Sequence, residues 1–380
     1  NALYYSDKSI IASTPDVYYV FGDEIINPMS IVQDPNTTFT WERTAMTDLA
    51  FDGKLFNGLI SYSLGYFNKH TSGMLMTKKV SSVHGGKDYV TNLGAMRNYG
   101  VEMEFGINKI NDNGLSYNFT GNITYMTNKI TDLGGTVLTA TGVTRNVVGY
   151  ELNTFYLFQS DALLTKEEFI NTPGNQLLIG QKWGDQKIVD VAGPNNSGPD
   201  GKIDANDKVL ISKSSTPKWF FGLNFNFAYK KMGVSGMFQG VGEYYRYLSG
   251  GVGYGFSNSY STTQWTIDNS YNPLTDENNY NTRLPRLSIM NTINNSYPTD
   301  RFLFNSSYLR LKNLQLYYIF NDDAFTKKLN MSNLKVYVSG LNLFTLSGLP
   351  KALGVDPEIS SGTSGYPLVR VVTLGVNMNF

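Results

Sequence analysis

Alternation with a period of two, sustained over ten or more residues at a time, constrains this chain more than any other feature of its sequence. In 115–126, Leu115, Tyr117, Phe119, Ile123 and Tyr125 fall on one side of an extended chain, with Ser116, Asn118, Thr120, Asn122 and Thr124 on the other. In 218–230, Trp219, Phe221, Leu223, Phe225, Phe227 and Tyr229 oppose Gly222, Asn224, Asn226 and Ala228. At the end, Val372, Leu374, Val376, Met378 and Phe380 oppose Thr373, Gly375, Asn377 and Asn379. Successive strand side chains point to opposite faces, so each stretch reads as a strand with two unlike environments. The polar face is Ser, Thr, Asn and Gly rather than Lys and Glu. The runs are about twice the length of a strand in a soluble sheet. Lipid on one side and a polar lumen on the other accounts for both observations.

The composition agrees. Charged residues are 16% and aromatic residues 14% of the chain, with 26 Tyr and 37 Gly, a mixture suited to strands, turns and membrane interfaces. Lys plus Arg and Asp plus Glu balance at 31 each, which excludes a nucleic-acid surface driven by bulk charge. The lack of cysteine excludes disulfides and thiolate metal sites. No run of 18 apolar residues marks a spanning helix, an absence that carries no weight for a barrel. The chain opens at Asn1 in strand-like sequence without an export signal, so a mature or truncated product is expected.

Strands are predicted near 41–52, 55–69, 97–110, 115–129, 219–230, 233–246, 304–319, 333–346 and 368–380. The joints within pairs are short (DGKLFNG, NDNG, KKMG and the longer NDDAFTKKLNMSN). Those between pairs are long, near 70–96, 131–217, 247–303 and 347–367. Short and long joints in alternation predict an all-β fold, a transmembrane antiparallel up-and-down β-barrel with periplasmic turns and extracellular loops, longest at about 131–217 and 247–303. The last strand then runs inward and ends on an aromatic residue, Phe380, which resembles the insertion signal of outer-membrane proteins. Leu309 and Leu311 share one phase while Leu314, Leu316 and Tyr318 take the other, which predicts a β-bulge at Lys312–Asn313. Trp41, Trp219, Tyr317, Tyr318, Phe320 and Phe344 lie near strand ends, where an aromatic girdle belongs.

Several segments carry a family resemblance: FTWERTAMTDLAFDGKLFNGLISYSLGYFNKHTSGML, LGAMRNYGVEMEFGINKI, SSYLRLKNLQLYYIF, LKVYVSGLNLFTLSG, VDPE, the pair Tyr366–Pro367 and the terminal TLGVNMNF. In number, order and spacing they resemble the SusC/RagA family of TonB-dependent transporters of Bacteroidetes outer membranes, over nearly all of residues 1–380. The resemblance implies the C-terminal half of a 22-stranded barrel, whose plug and N-terminal strands lie outside this sequence. It implies a SusD-like surface lipoprotein as a lid, energy from TonB through the N-terminal region, and import of an oligosaccharide or a peptide. Nine or ten strands could close alone, since barrels begin at about eight. It is the resemblance that makes this piece a half, completed by the remainder of the same transporter.

Candidate sites are few. Asp200, Gly201, Asp204 and Asp207 form D-G-x-I-D-x-x-D, with Asp190 and Asp185 upstream, similar to part of a calcium loop in which closely spaced oxygens wrap a hard cation. The same residues also suit an acidic loop of Asx-turns. Thr165 and Glu168 form a capping box, predicting a short helix in the longest loop. Tyr244, Tyr245, Tyr247, Tyr254, Tyr260 and Trp265 are the candidates for stacking on a sugar or peptide, or for packing the loop on itself. His70 and His84 stand without carboxylate or serine context. With no nucleophile and base, no paired catalytic acids and no phosphate loop, an enzyme is not expected. A TonB-dependent importer leads. A passive porin-type channel would share every barrel feature, and a surface glycan-binding β protein would need soluble strands.

Overall fold

The structure, a computed structural model, describes residues 10–13, 18–27, 29–36, 40–78, 80, 88–135, 142–174, 178, 180–193, 197–256, 262–289, 297–321, 328, 330–359 and 368–380. Nine long strands form one sheet: β1 (Arg43–Leu55), β2 (Ile60–Lys78), β3 (Tyr89–Ile110), β4 (Leu115–Leu133), β5 (Trp219–Tyr229), β6 (Met232–Gly242), β7 (Tyr308–Asn321), β8 (Asn333–Ser347) and β9 (Val371–Asn379). Each pairs antiparallel with its sequence neighbour, in the order of the chain. All nine predicted strands are present.

Register fixes the two faces. The outward row Phe51–Leu64–Met103–Ile123–Phe221 is apolar, and the inward row one step along is Asp52–Ser63–Glu104–Asn122–Gly222. Outward side chains are uncovered by protein, with Phe51 70%, Val372 71% and Leu374 74% exposed. In water such a face would be a large aggregation site. In hydrocarbon it is the stable solution, because every ladder N–H and C=O inside the sheet is paired. No described helix is long and apolar enough to cross a membrane, which says nothing of strands.

Several boundaries differ from the sequence reading. DGK reads as a turn, yet β1 runs through it to Leu55, and the turn is Phe56–Leu59, where Phe56, Asn57 and Gly58 have positive φ. Gly53 stays in the strand because the Tyr62 ring of β2 lies over it, where a Cβ would collide with the Tyr62 ring and hydroxyl. The joint expected at 70–96 shrinks to 79–88, since β2 and β3 keep pairing from Ser72–Ala95 to Lys78–Tyr89 across an irregularity at Met74. The strand expected at 233–246 stops at Gly242, where Glu243 turns to positive φ. The strand expected at 304–319 starts at Tyr308. The residues cut off, Tyr245–Tyr247 and Leu303–Asn305, pair with each other above the wall. The predicted bulge is present: Lys312 has no partner on β6 or β8, and β8 answers with Asn342 at φ 52°. Of the expected girdle, Trp219 packs against Tyr125 with ring centres 4.8 Å apart and Tyr318 against Phe320 at 4.6 Å, both pairs tilted. Tyr317 faces inward instead, its hydroxyl donating to Asn226 Oδ1 at 3.2 Å.

The buried apolar residues gather mainly beyond the wall, in the long joints. Leu248, Phe304, Leu349 and Leu353 form one cluster, and Phe155, Leu157 and Leu303 another. Each draws on two of the joints 134–218, 243–307 and 348–370, which therefore fold together as a cap over one end of the sheet.

Candidate functional site: the inner wall and its cap

The inward face of β1–β5 carries Asp48, Asp52, Glu102 and Glu104 among Ser, Thr and Asn. A polar groove of about 400 Å³ runs along it, lined by Ser61, Ser63, Glu104, Thr120, Asn122 and Asn224. Small hydroxyl and amide side chains at these inward positions keep the groove open and wet.

The cap is held by polar bonds between joints that are far apart in sequence. Asp300 Oδ1 accepts from the Ser160 amide at 2.9 Å, and Arg301 Nε donates to Ser160 Oγ at 3.0 Å. Thr299 Oγ1 donates to Gln186 Oε1 at 2.8 Å, and buried Asp185 pairs with Arg286 at 2.6 Å. The predicted helix is Lys166–Asn171, with both bonds of the Thr165–Glu168 capping box formed. Lys187 binds Glu168 at 2.8 Å and holds its carboxyl below the usual range, while Glu168 raises the Lys187 ammonium. At the head of β5, burial opposes the Lys218 charge, yet Glu243 at 2.7 Å and Glu151 at 2.9 Å prevail and push it up to about 12.

A clamp ties the last joint to the inner wall. Arg310 on β7, 3% exposed at its side chain, binds Asp356 at 2.8 Å and Glu358 at 2.9 Å; Lys312, the bulge residue, binds Glu358 at 2.9 Å. Arg246 donates to the carbonyls of Asp356 and Ile359 and to Ser306 Oγ, and burial pushes its pKa down. The clamp therefore joins the Arg and Lys of YLRLKN to both acids of VDPE. The bulge turns Lys312 to Glu358, the partner it shares with Arg310.

The aromatic candidates lie mostly inside the cap. The Tyr247 and Tyr254 hydroxyls share a hydrogen bond of 2.6 Å, and both rings contact Phe302 edge-on. Burial raises both phenols and that of Tyr244. Trp265 packs on Phe304, and Tyr245 borders the second cluster with Lys213 over its ring. Tyr260 lies outside the described residues, as do His84, Tyr366 and Pro367.

The aspartates form turns. Asp190 accepts from the amides of Asp200 and Gly201, Asp200 from Lys202, and Asp204 from Asn206. Asp207, 0% exposed, accepts from Val191, Ala192 and Asp204. Among the described residues no three His, Cys, Asp or Glu side chains converge as a metal group would require. Backbone amides engage both carboxylate oxygens of Asp190 and of Asp207.

Long antiparallel strands in chain order, an apolar outward face and a polar inner wall define a segment of a transmembrane β-barrel of the outer membrane. No family model matches the chain. Its sequence is 26% identical to TonB-dependent receptor P3 of Formosa agariphila, over 99% of this chain and 38% of the relative. It is also 26% identical to TonB-dependent receptor SusC of Bacteroides thetaiotaomicron, over 95% of this chain and 34% of the relative. The fold matches the RagAB peptide transporter with TM-score 0.72 at 20% identity, over 99% of this chain and 39% of that one. Its match to the RagAB importer in the open-open state has TM-score 0.73 at 21% identity, over 99% and 38%. The chain is thus similar in sequence to TonB-dependent receptors, SusC among them, and shares the barrel fold of RagAB. It spans little more than a third of the length of these relatives, whose names are those of receptors and transporters rather than enzymes.

Proposed function

We propose that this chain is part of an importer that carries a large polar nutrient, an oligosaccharide or a peptide, across the outer membrane. The long joints face the exterior, a SusD-like lipoprotein closes over the cap, and TonB supplies the energy through the rest of the transporter. The observation that carries this reading is the two-faced wall, apolar outside and acid- and amide-lined inside, beneath a cap with its own core. A solvated inner face suits a hydrophilic solute. A cap held by buried ion pairs suits a surface on which a partner closes. The kinship with SusC and the fold of RagAB support the active mode over a passive pore. The aromatic residues of the cap support its shape, and substrate contact falls to the inner wall.

The test is uptake by cells carrying the full-length protein, with and without TonB, using labelled oligosaccharide and peptide mixtures. Uptake should stop without TonB, and a lipoprotein should copurify with the barrel from native membranes. Uptake that continues at full rate without TonB would establish the passive channel instead.

A further inference from the structure

The outward face of β1–β4 changes character in steps toward the cap. The row Leu49–Tyr66–Val101–Tyr125–Trp219 is apolar and aromatic. The next outward row is Asn68–Tyr99–Thr127, and the one beyond is His70–Arg97–Lys129. Three basic residues from three strands thus stand side by side just above the aromatic row, all of them exposed. These three rows hold no acid: Asp48, Asp52, Glu102 and Glu104 of the same strands face inward, and Asp132, one outward row nearer the cap beside Ala95, accepts from the Gly134 amide at 2.8 Å.

Arg97 and Lys129 are direct cross-strand partners. Like charges so placed repel and destabilise a sheet unless an anion sits between them. Among the described residues neither pairs with a carboxylate. Arg97 is held in place, its Nε donating to Asn68 Oδ1 at 2.7 Å and its guanidinium 4.9 Å over the Tyr99 ring. Its terminal nitrogens remain to face a ligand. Beside Lys129 lies a polar recess of about 370 Å³ bordered by Tyr99, Thr127 and Tyr150. The carboxylate in that recess, Glu151, is bound by Lys218 and Thr127. Toward the turns, an apolar trough of about 430 Å³ opens between Leu49, Leu64, Val101, Met103 and Ile123. Arg97 and Val101 are four residues apart, about 13 Å along the strand.

We propose that this outward face binds one molecule of a phosphorylated lipid of the outer leaflet, its phosphate on Arg97 and Lys129 and an acyl chain in the trough. Arg takes phosphate through paired, charge-assisted bonds, and the aromatic row marks the depth at which headgroups begin. The site rests on the orientation stated above, with the cap outside, and is independent of what the barrel carries.

The full-length protein in lipid nanodiscs tests it by native mass spectrometry. The probes are bisphosphorylated lipid A, the same lipid with its phosphates removed, and inorganic phosphate. Wild type should retain bisphosphorylated lipid A over the dephosphorylated form, and R97Q/K129Q should lower that retention roughly tenfold or more, as the loss of two interfacial charges implies. E104Q, on the inner wall, should retain it fully, and unchanged heat-modifiability confirms that the variants fold. Equal retention by wild type and R97Q/K129Q overturns the site. Displacement of lipid A by millimolar inorganic phosphate alone overturns the lipid as its ligand. Whole-cell labelling of a cysteine at Ser197 reports orientation separately. If that label fails, the row faces the inner leaflet and the outer-leaflet lipid falls with the orientation.

Discussion

Arginine at Leu223 is the sharpest test of the wall, because the residue beside it should behave oppositely. Leu223 lies four residues into β5 from Trp219, on the outward face between Gly121 and Phe238. At roughly 3.3 Å per residue and a strand tilt near 40°, it sits about 10 Å below the Trp219 level, close to the middle of an apolar band roughly 25 Å tall. A guanidinium there should cost about 2–4 kcal/mol. Asn224 faces inward over the polar groove, near Ser61, Thr120 and Glu104. Arginine at that position meets water and a carboxylate, and should change stability by no more than about 0.5 kcal/mol. Urea titration of full-length protein folded into lipid vesicles, followed by the mobility of unheated samples on gels, measures both. L223R should fold with a clearly lower midpoint and N224R with nearly the parental one. Equal losses at the two positions would refute the assignment of faces.

Four further outcomes follow from the cap and its orientation. Arg310→Met leaves Asp356 and Glu358 with too little positive charge in a buried place; it should cost about 3–5 kcal/mol of local stability and expose the joint 348–370 to limited proteolysis. An unchanged cleavage pattern would show that the clamp holds nothing. The Glu168–Lys187 pair lowers one pKa and raises the other, so its stabilisation is full between the ordinary values 4.5 and 10.5, lost as pH falls through the Glu168 value or rises through that of Lys187. Both side chains are 40% exposed, so solvent screening limits the effect to at most about 0.5–1 kcal/mol, and E168Q should flatten the acid limb of thermal melts by that amount. Removing calcium with a chelator should leave the melting of the cap unchanged, whereas Asp207→Ala, which orphans three amides, should lower stability by about 1–3 kcal/mol; a chelator effect as large would return the aspartates to a metal. A cysteine at Ser197 should react with an impermeant reagent on whole cells and one at Asn113 only after the membrane is opened, the reverse pattern inverting the orientation.

Much of the wall was legible because its environment imposes a rule on every residue. A strand between lipid and lumen must alternate, so Phe225 and Asn226 declare their faces without reference to any partner. The phase change between Leu311 and Leu314 located the bulge for the same reason. The misreadings fall where a local signal was overruled from another strand. Asp52–Gly53 looks like a turn until Tyr62 is laid over it. Glu243 shows nothing in sequence of the positive φ that ends β6. The tyrosines of the cap carry no mark that separates an open stacking surface from a core, since a phenol serves either. The structure adds that Tyr247 and Tyr254 pack on Phe302 and that Trp265 packs on Phe304.

By itself, then, the sequence determined the two faces of each strand, the alternation of short and long joints, and the bulge, since all three depend on spacing along one chain. Tertiary structure decided whatever depends on register and on joints meeting across the sheet. The clamp from Arg310 and Lys312 to Asp356 and Glu358 spans more than forty residues of chain. Asp207 spends its carboxylate on amides supplied by Val191 and Ala192. His70, Arg97 and Lys129 form one row because β2, β3 and β4 pair in a single register, and a slip of one residue would turn any of them to the other face.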